Sequence, residues 1–104
     1  MEAVVIYITT PNEEEGIKIA RVLVEERLAG CVNIVKPIRS IYRWHENIED
    51  DTEILMIVKT QKQLFESLET RVRELHSYTI PEIIAVPVVE GSKGYLKWLE
   101  DVTG

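Results

Sequence analysis

Disulfide bonds are the first thing this chain cannot build, because its 104 residues include one cysteine, Cys31. A lone thiol excludes an internal cross-link and fits a reducing compartment, so the cytoplasm is the expected location. Basic charge is also short: 12 Lys and Arg stand against 18 Asp and Glu, for a net charge of -6. Such a surface repels phosphate backbones, and nucleic acid is not an expected partner. No apolar run is long enough to cross a bilayer. The opening MEAVVIYITT is too short and carries Glu2 where an export signal would carry positive charge, so neither a membrane nor cleaved export is expected. Neither HExxH nor GxSxG occurs, and no nucleophile stands out with a base to serve it, so an enzyme is not expected.

Linkers, low-complexity tracts and long-period repeats are missing too, which leaves one domain over residues 1–104. A chain of this length buries roughly 65% of its unfolded surface, so association of copies would add useful burial.

Against those absences stands a regular alternation of elements. Ala3 to Thr10 is a β-branched, apolar strand that Pro11 stops. Asn12 is placed to cap a helix, with Glu15 three residues on to complete a capping box. Ile17, Ala20, Val24 and Leu28 recur at helical spacing with Leu23 beside them, and Gly30 is expected to end the helix in a left-handed conformation. Cys31 to Trp44 reads extended, with Pro37 marking a bulge or an edge. His45, Glu46 and Asn47 form a turn, and Glu53 to Thr60 returns as a strand. Leu64, Leu68, Val72 and Leu75 share a face of a second helix, with Phe65 beside them. HSYTIP connects to a strand from Glu82 to Glu90, and a short helix with Tyr95, Leu96, Trp98 and Leu99 follows.

The order βαββαβ with right-handed crossovers predicts an α+β, ferredoxin-like, four-stranded antiparallel sheet with both main helices on one face and a short C-terminal helix. A sheet with one wet face should alternate apolar and polar residues. VVIYI, ILMIV and IIAVPVV are instead apolar at nearly every position. The extended span from Cys31 to Trp44 also exceeds the usual strand of about five or six residues. Both features predict a homo-oligomer, with sheet packed on sheet and a long hairpin reaching a neighbour.

The stretches ERLAGCVNIV, IRSIYRW, ILMIVKT, HSYTIPEI and YLKW together resemble the CutA family of divalent-ion tolerance proteins, over Val4 to Leu99. The resemblance implies a ferredoxin-like homotrimer, similar in build to the nitrogen-regulatory signal proteins and associated with copper and other divalent ions. Two positions depart from the family pattern. Ser77 stands where a proline usually follows the connector histidine, and Glu46 where the hairpin turn usually has glycine. Asn47, tolerant of positive φ, is expected to supply that turn.

Candidate site residues follow. His76 is the best metal ligand, since imidazole suits copper and copper leads the divalent affinity order. The family positions for a further cysteine and histidine correspond to Thr9 and Leu75, so copper is expected to be held only weakly or transiently. The other reading of His76 is a helix C-terminal histidine favourable to the dipole when protonated. Cys31 reads either as a soft Cu(I) ligand or as a small packed hydrophobe. Tyr78 and Glu82 read as a polar pair lining an intersubunit cleft, or as a wet hydroxyl and a solvated strand start. Lys59 reads as an anion ligand in such a cleft, or as a snorkelling lysine. The topology puts Cys31 and Lys59 at the opposite end of the sheet from His76, so a site joining them needs two chains. Tyr42 and Trp44 should share one face of their strand and anchor a subunit interface. The acidic run ENIEDDTE lacks EF-hand spacing and reads as a solvated hairpin. TTPNEEEG offers no glycine run and no base, against an acylphosphatase-like phosphate cradle. ILMIVKT offers no aromatic for base stacking, against an RNA-binding sheet. Two functions remain: a metal-binding trimer of divalent-ion tolerance, or a trimeric regulatory or scaffold module that takes a small molecule or protein partner in its clefts.

Overall fold

Four strands and three helices are built from alternating β-branched and helical-period segments in the computed structural model, which describes residues 1–104. The elements are β1 (Ala3–Thr10), α1 (Glu13–Glu25), β2 (Cys31–Trp44), β3 (Asn47–Gln61), a 3-10 turn (Lys62–Leu64), α2 (Phe65–Leu75), β4 (Ile83–Pro87) and α3 (Lys93–Val102). The sheet order is β2-β3-β1-β4, and every pairing is antiparallel. This is the ferredoxin-like arrangement that the element order predicts.

One face of the sheet forms the core. Val4, Ile6 and Ile8 of β1 and Met56 and Val58 of β3 pack with Ile19 and Leu23 of α1 and with Leu68 and Val72 of α2. The α1 stripe differs from the expected one. Gly16, Ile19, Ala20 and Leu23 are buried, whereas Ile17 and Val24 stay exposed. Both sets satisfy the helical spacing, and the packing of α1 against the sheet selects the one a single residue around the barrel of the helix.

Asn12 caps α1 as expected, with Oδ1 accepting from the Glu15 N–H at 2.8 Å. The Glu15 carboxylate does not complete a capping box. It accepts from the Ser77 N–H and hydroxyl at 3.0 and 3.1 Å, so it ties α1 to the connector after α2. Gly30 does not supply the left-handed residue either. Arg27 does, with φ of 62°, while Gly30 lies where the side chains of α3 come close. A Cβ there would lie 2.5 Å from Leu99 Cδ1 and 3.1 Å from Val102 Cγ2.

β3 is longer than its apolar part suggests. The acidic run pairs with the outer half of β2, from Ile38 opposite Glu53 to Trp44 opposite Asn47, beyond the last β1 pair at Thr10 and Ile54. Residues 38–53 therefore form a two-stranded arm of seven paired positions, roughly 23 Å long at the usual strand rise. The register shift between Val35 and Ile38 marks the bulge that Pro37 predicts on this edge strand. At the tip, His45 takes the positive φ of 56° that Asn47 was expected to take. β4 is shorter than expected, ending at Pro87.

The second face has no layer over it. Val5, Tyr7 and Ile57 are only half-buried, and Ile84, Val86 and Val35 are exposed. The helix α3 packs at a corner instead, where Leu99 meets Gly30 and where Thr103 accepts from Gln61 Nε2 at 2.7 Å.

Candidate functional site

The end of α2 delivers His76 into the protein. Its side chain is fully buried. Nε2–H donates to the Thr9 carbonyl at 2.7 Å, and Nδ1 accepts the Tyr78 N–H at 3.0 Å, a pattern that describes the neutral Nε2–H tautomer. Glu15 Oε2 stands 3.3 Å from Nδ1 and forms an ion pair only with a protonated ring. Both ring nitrogens are thus engaged, and the imidazole holds the connector against the end of β1. No group of three or more His, Cys, Asp or Glu gathers to hold a metal within the chain.

Tyr78 turns outward from that anchor into a cleft of about 810 Å³ between the connector and the root of the arm. Its hydroxyl donates to Glu53 Oε2 at 2.8 Å. Burial first, and then the Glu53 carboxylate, push its pKa well above the ordinary phenol value. Glu53 is only 5% exposed. Glu82, still open to solvent, faces the same cleft, and partial burial with the charge of Glu53 raises its pKa above the usual carboxylate range. The register puts Tyr42 and Glu49 opposite one another, and Trp44 shares their face as the spacing predicts. All three line the cleft. The Tyr42 hydroxyl donates to Asp51 Oδ2 at 2.6 Å, which raises its pKa to about 12.

Cys31 and Lys59 lie elsewhere. They are directly paired across β2 and β3, with Lys59 Nζ 3.8 Å from Cys31 Sγ and donating to Asn33 Oδ1. The structure therefore brings together Tyr78 and Glu82, sets His76 behind them, and keeps Cys31 and Lys59 at the far end of the sheet. Sequence reasoning missed Glu53 and Glu15. Glu53 was hidden in an acidic run, although it shares strand parity with the half-buried Leu55 and Ile57, which is the signal that could have singled it out.

A ferredoxin-like α+β sheet with a free-standing arm, and a carboxylate and aromatic cleft at the arm's root, defines the class: a small α+β protein with a ligand-sized recess beside its sheet. The family model for the CutA1 divalent ion tolerance protein matches residues 4–102. This chain belongs to that family. The divalent-cation tolerance protein CutA of Thermus thermophilus is 53% identical over 100 residues, covering 96% of this chain and 97% of that one. The chloroplastic CutA of Arabidopsis thaliana is 46% identical over 101 residues, covering 97% of this chain and 56% of that one. The chain thus spans the bacterial relative almost entirely and about half of the plant one. The crystal structure of CutA1 from Oryza sativa superposes with a TM-score of 0.97 at 40% identity, covering 100% of this chain and 95% of that one.

Proposed function

We propose that this chain acts as a homotrimeric, non-enzymatic protein of divalent-cation tolerance in the cytoplasm, and that copper is its ion, held weakly or transiently. The observation that carries the assembly is the uncovered apolar sheet face next to the arm. An isolated two-stranded hairpin is marginal in water, yet this arm exposes Ile41 and Ile48 at 66% and 61%. Neighbouring copies would cover both. The free cysteine supports the reducing location.

Support for weak copper binding comes from the approach of Glu15 Oε2 to within 3.3 Å of His76 Nδ1. A copper ion there would be held by His76 Nδ1, in place of the Tyr78 N–H, and by a Glu15 oxygen, fewer than the three or four ligands of a tight site. Cys31 joins such a site only if another copy contributes it. The test is calorimetric titration of Cu(II), with Zn(II) in parallel, into the parent, His76→Ala and Glu15→Gln, with mass measured by light scattering. A three-chain mass and about one copper per chain, lost in both variants while the fold persists, is expected. Identical titrations of parent and variants would overturn the copper reading, and a monomeric mass would overturn the trimer.

A second reading is favoured by one observation, the buried Glu53 in the cleft: a regulatory or scaffold module that takes a small molecule at that recess. Tyr78 and Glu82 belong to it directly. Lys59 would join it only from a neighbouring copy.

A further inference from the structure

The cleft at the root of the arm is unusual in its charge. Glu49, Glu53 and Glu82 line it, and no lysine, arginine or histidine does. Glu53 is the sharpest case. It is 95% withdrawn from solvent, one oxygen takes the Tyr78 hydroxyl, and no ion pair in the protein reaches it. A carboxylate taken out of water normally finds a cationic partner, because desolvation without one is costly. Elsewhere in the chain even exposed carboxylates take a guanidinium: Asp50 holds Arg39 at 2.7 Å, and Glu26 holds Arg71 at 3.0 Å. Glu53 has only a phenol, and Glu82 beside it has a pKa raised first by partial burial and then by the Glu53 charge.

The walls say which cation fits. Tyr42, Trp44 and Tyr78 bring aromatic rings to a recess whose volume of about 810 Å³ suits a small organic molecule. Aromatic faces attract ammonium and guanidinium groups and give an apolar stem a surface to bury. A bare divalent ion would need several converging oxygens, and no set of three carboxylates, histidines or cysteines converges here. An anion would find no base.

We propose that this cleft is a binding site for an organic cation, a primary ammonium or guanidinium on an apolar or aromatic body, held by the Glu53 and Glu82 carboxylates against the Tyr78 and Tyr42 rings. The cation sits on the Glu53 oxygen that Tyr78 leaves free, and Glu82 closes the site from the solvent side. The same chemistry is offered by a free amine and by a basic side chain of a second copy. This inference rests on the cleft-ligand reading and is independent of copper at His76.

The experiment uses benzylamine as the probe, titrated calorimetrically into the full chain, with benzyl alcohol as the neutral counterpart. Glu53→Gln and Glu82→Gln are compared with the parent. Gln at position 53 still accepts from Tyr78, so the fold is retained, and Glu82 is exposed. Saturable binding of one benzylamine per chain, about tenfold weaker in Glu53→Gln and absent for benzyl alcohol, supports the free-amine source. No benzylamine binding by the parent, with a loss of assembled mass in both variants, supports a basic side chain of a second copy. Equal binding of benzyl alcohol overturns the proposal. So does equal benzylamine binding by parent and variants, or the absence of binding with assembly unchanged. The copper titrations of His76→Ala and Glu15→Gln decide the divalent-ion reading separately.

Discussion

His76 and Thr9 are joined across 67 residues of chain by a 2.7 Å hydrogen bond from a fully buried imidazole to a backbone carbonyl. The bond fixes the end of α2 to the end of β1, and it also fixes where Tyr78 emerges. Replacing His76 with Ala leaves that carbonyl and the Tyr78 N–H without partners. An unsatisfied buried group costs about 1–3 kcal/mol, so a loss of about 2–4 kcal/mol is expected in urea unfolding. A smaller loss is expected for His76→Gln, which keeps a donor. Equal stability of parent and His76→Ala would show that the imidazole does not hold the connector.

Gly30 predicts a steric effect. Gly30→Ala pushes a methyl into Leu99, which is 1% exposed and has little room to move. Overpacking of this kind costs about 1–3 kcal/mol. The double variant Gly30→Ala/Leu99→Val should recover part of it, a coupling that a double-mutant cycle in urea measures.

Asn12→Ala removes the α1 cap and should lower stability by about 1 kcal/mol, while Asn12→Asp should be close to neutral. Thermal unfolding followed by circular dichroism distinguishes the two.

Glu82 predicts a pH effect with a definite sign. Its folded pKa lies above the unfolded one, through partial burial and the nearby Glu53. The native state therefore binds more protons between the two values, and stability falls as pH rises through that window. Glu82→Gln should match the parent below the ordinary carboxylate range and be modestly more stable at neutral pH. Urea midpoints at acid and neutral pH give the comparison, and a variant less stable at neutral pH would contradict it.

The arm carries the assembly prediction. Ile41→Asp/Ile48→Asp should reduce the mass in light scattering toward one chain without loss of the core strands, because both side chains lie outside the core cluster. An unchanged mass would assign the contact between copies to the sheet face alone.

Much of the fold was legible in the sequence because strand and helix periods, Pro11, Asn12 and Pro37 all act locally. The choice between Ile17 and Ile19 as a core residue was not, since both fit the period and only the sheet beneath α1 decides. Gly30 was legible as a required glycine but for the wrong reason, because its neighbour Leu99 is far away in the chain. The opposite placement of His76 and Cys31 followed from topology. The engagement of both His76 nitrogens did not, as it depends on Thr9 and on a backbone N–H that no side-chain pattern encodes. The cleft was half visible: Tyr78 and Glu82 stood out in a short connector, while Glu53 acquires its meaning only when the connector folds over it.

The arm of residues 38–53 is supported by the sheet at one end only, and the cleft opens at that end. It is a lever with a small recess at its fulcrum. A rotation of about 5° at the root would carry the tip, roughly 23 Å out, through about 2 Å, so an occupant lodged against Glu53 would set the aim of the far end, where Ile48 and the His45 turn stand clear of the chain.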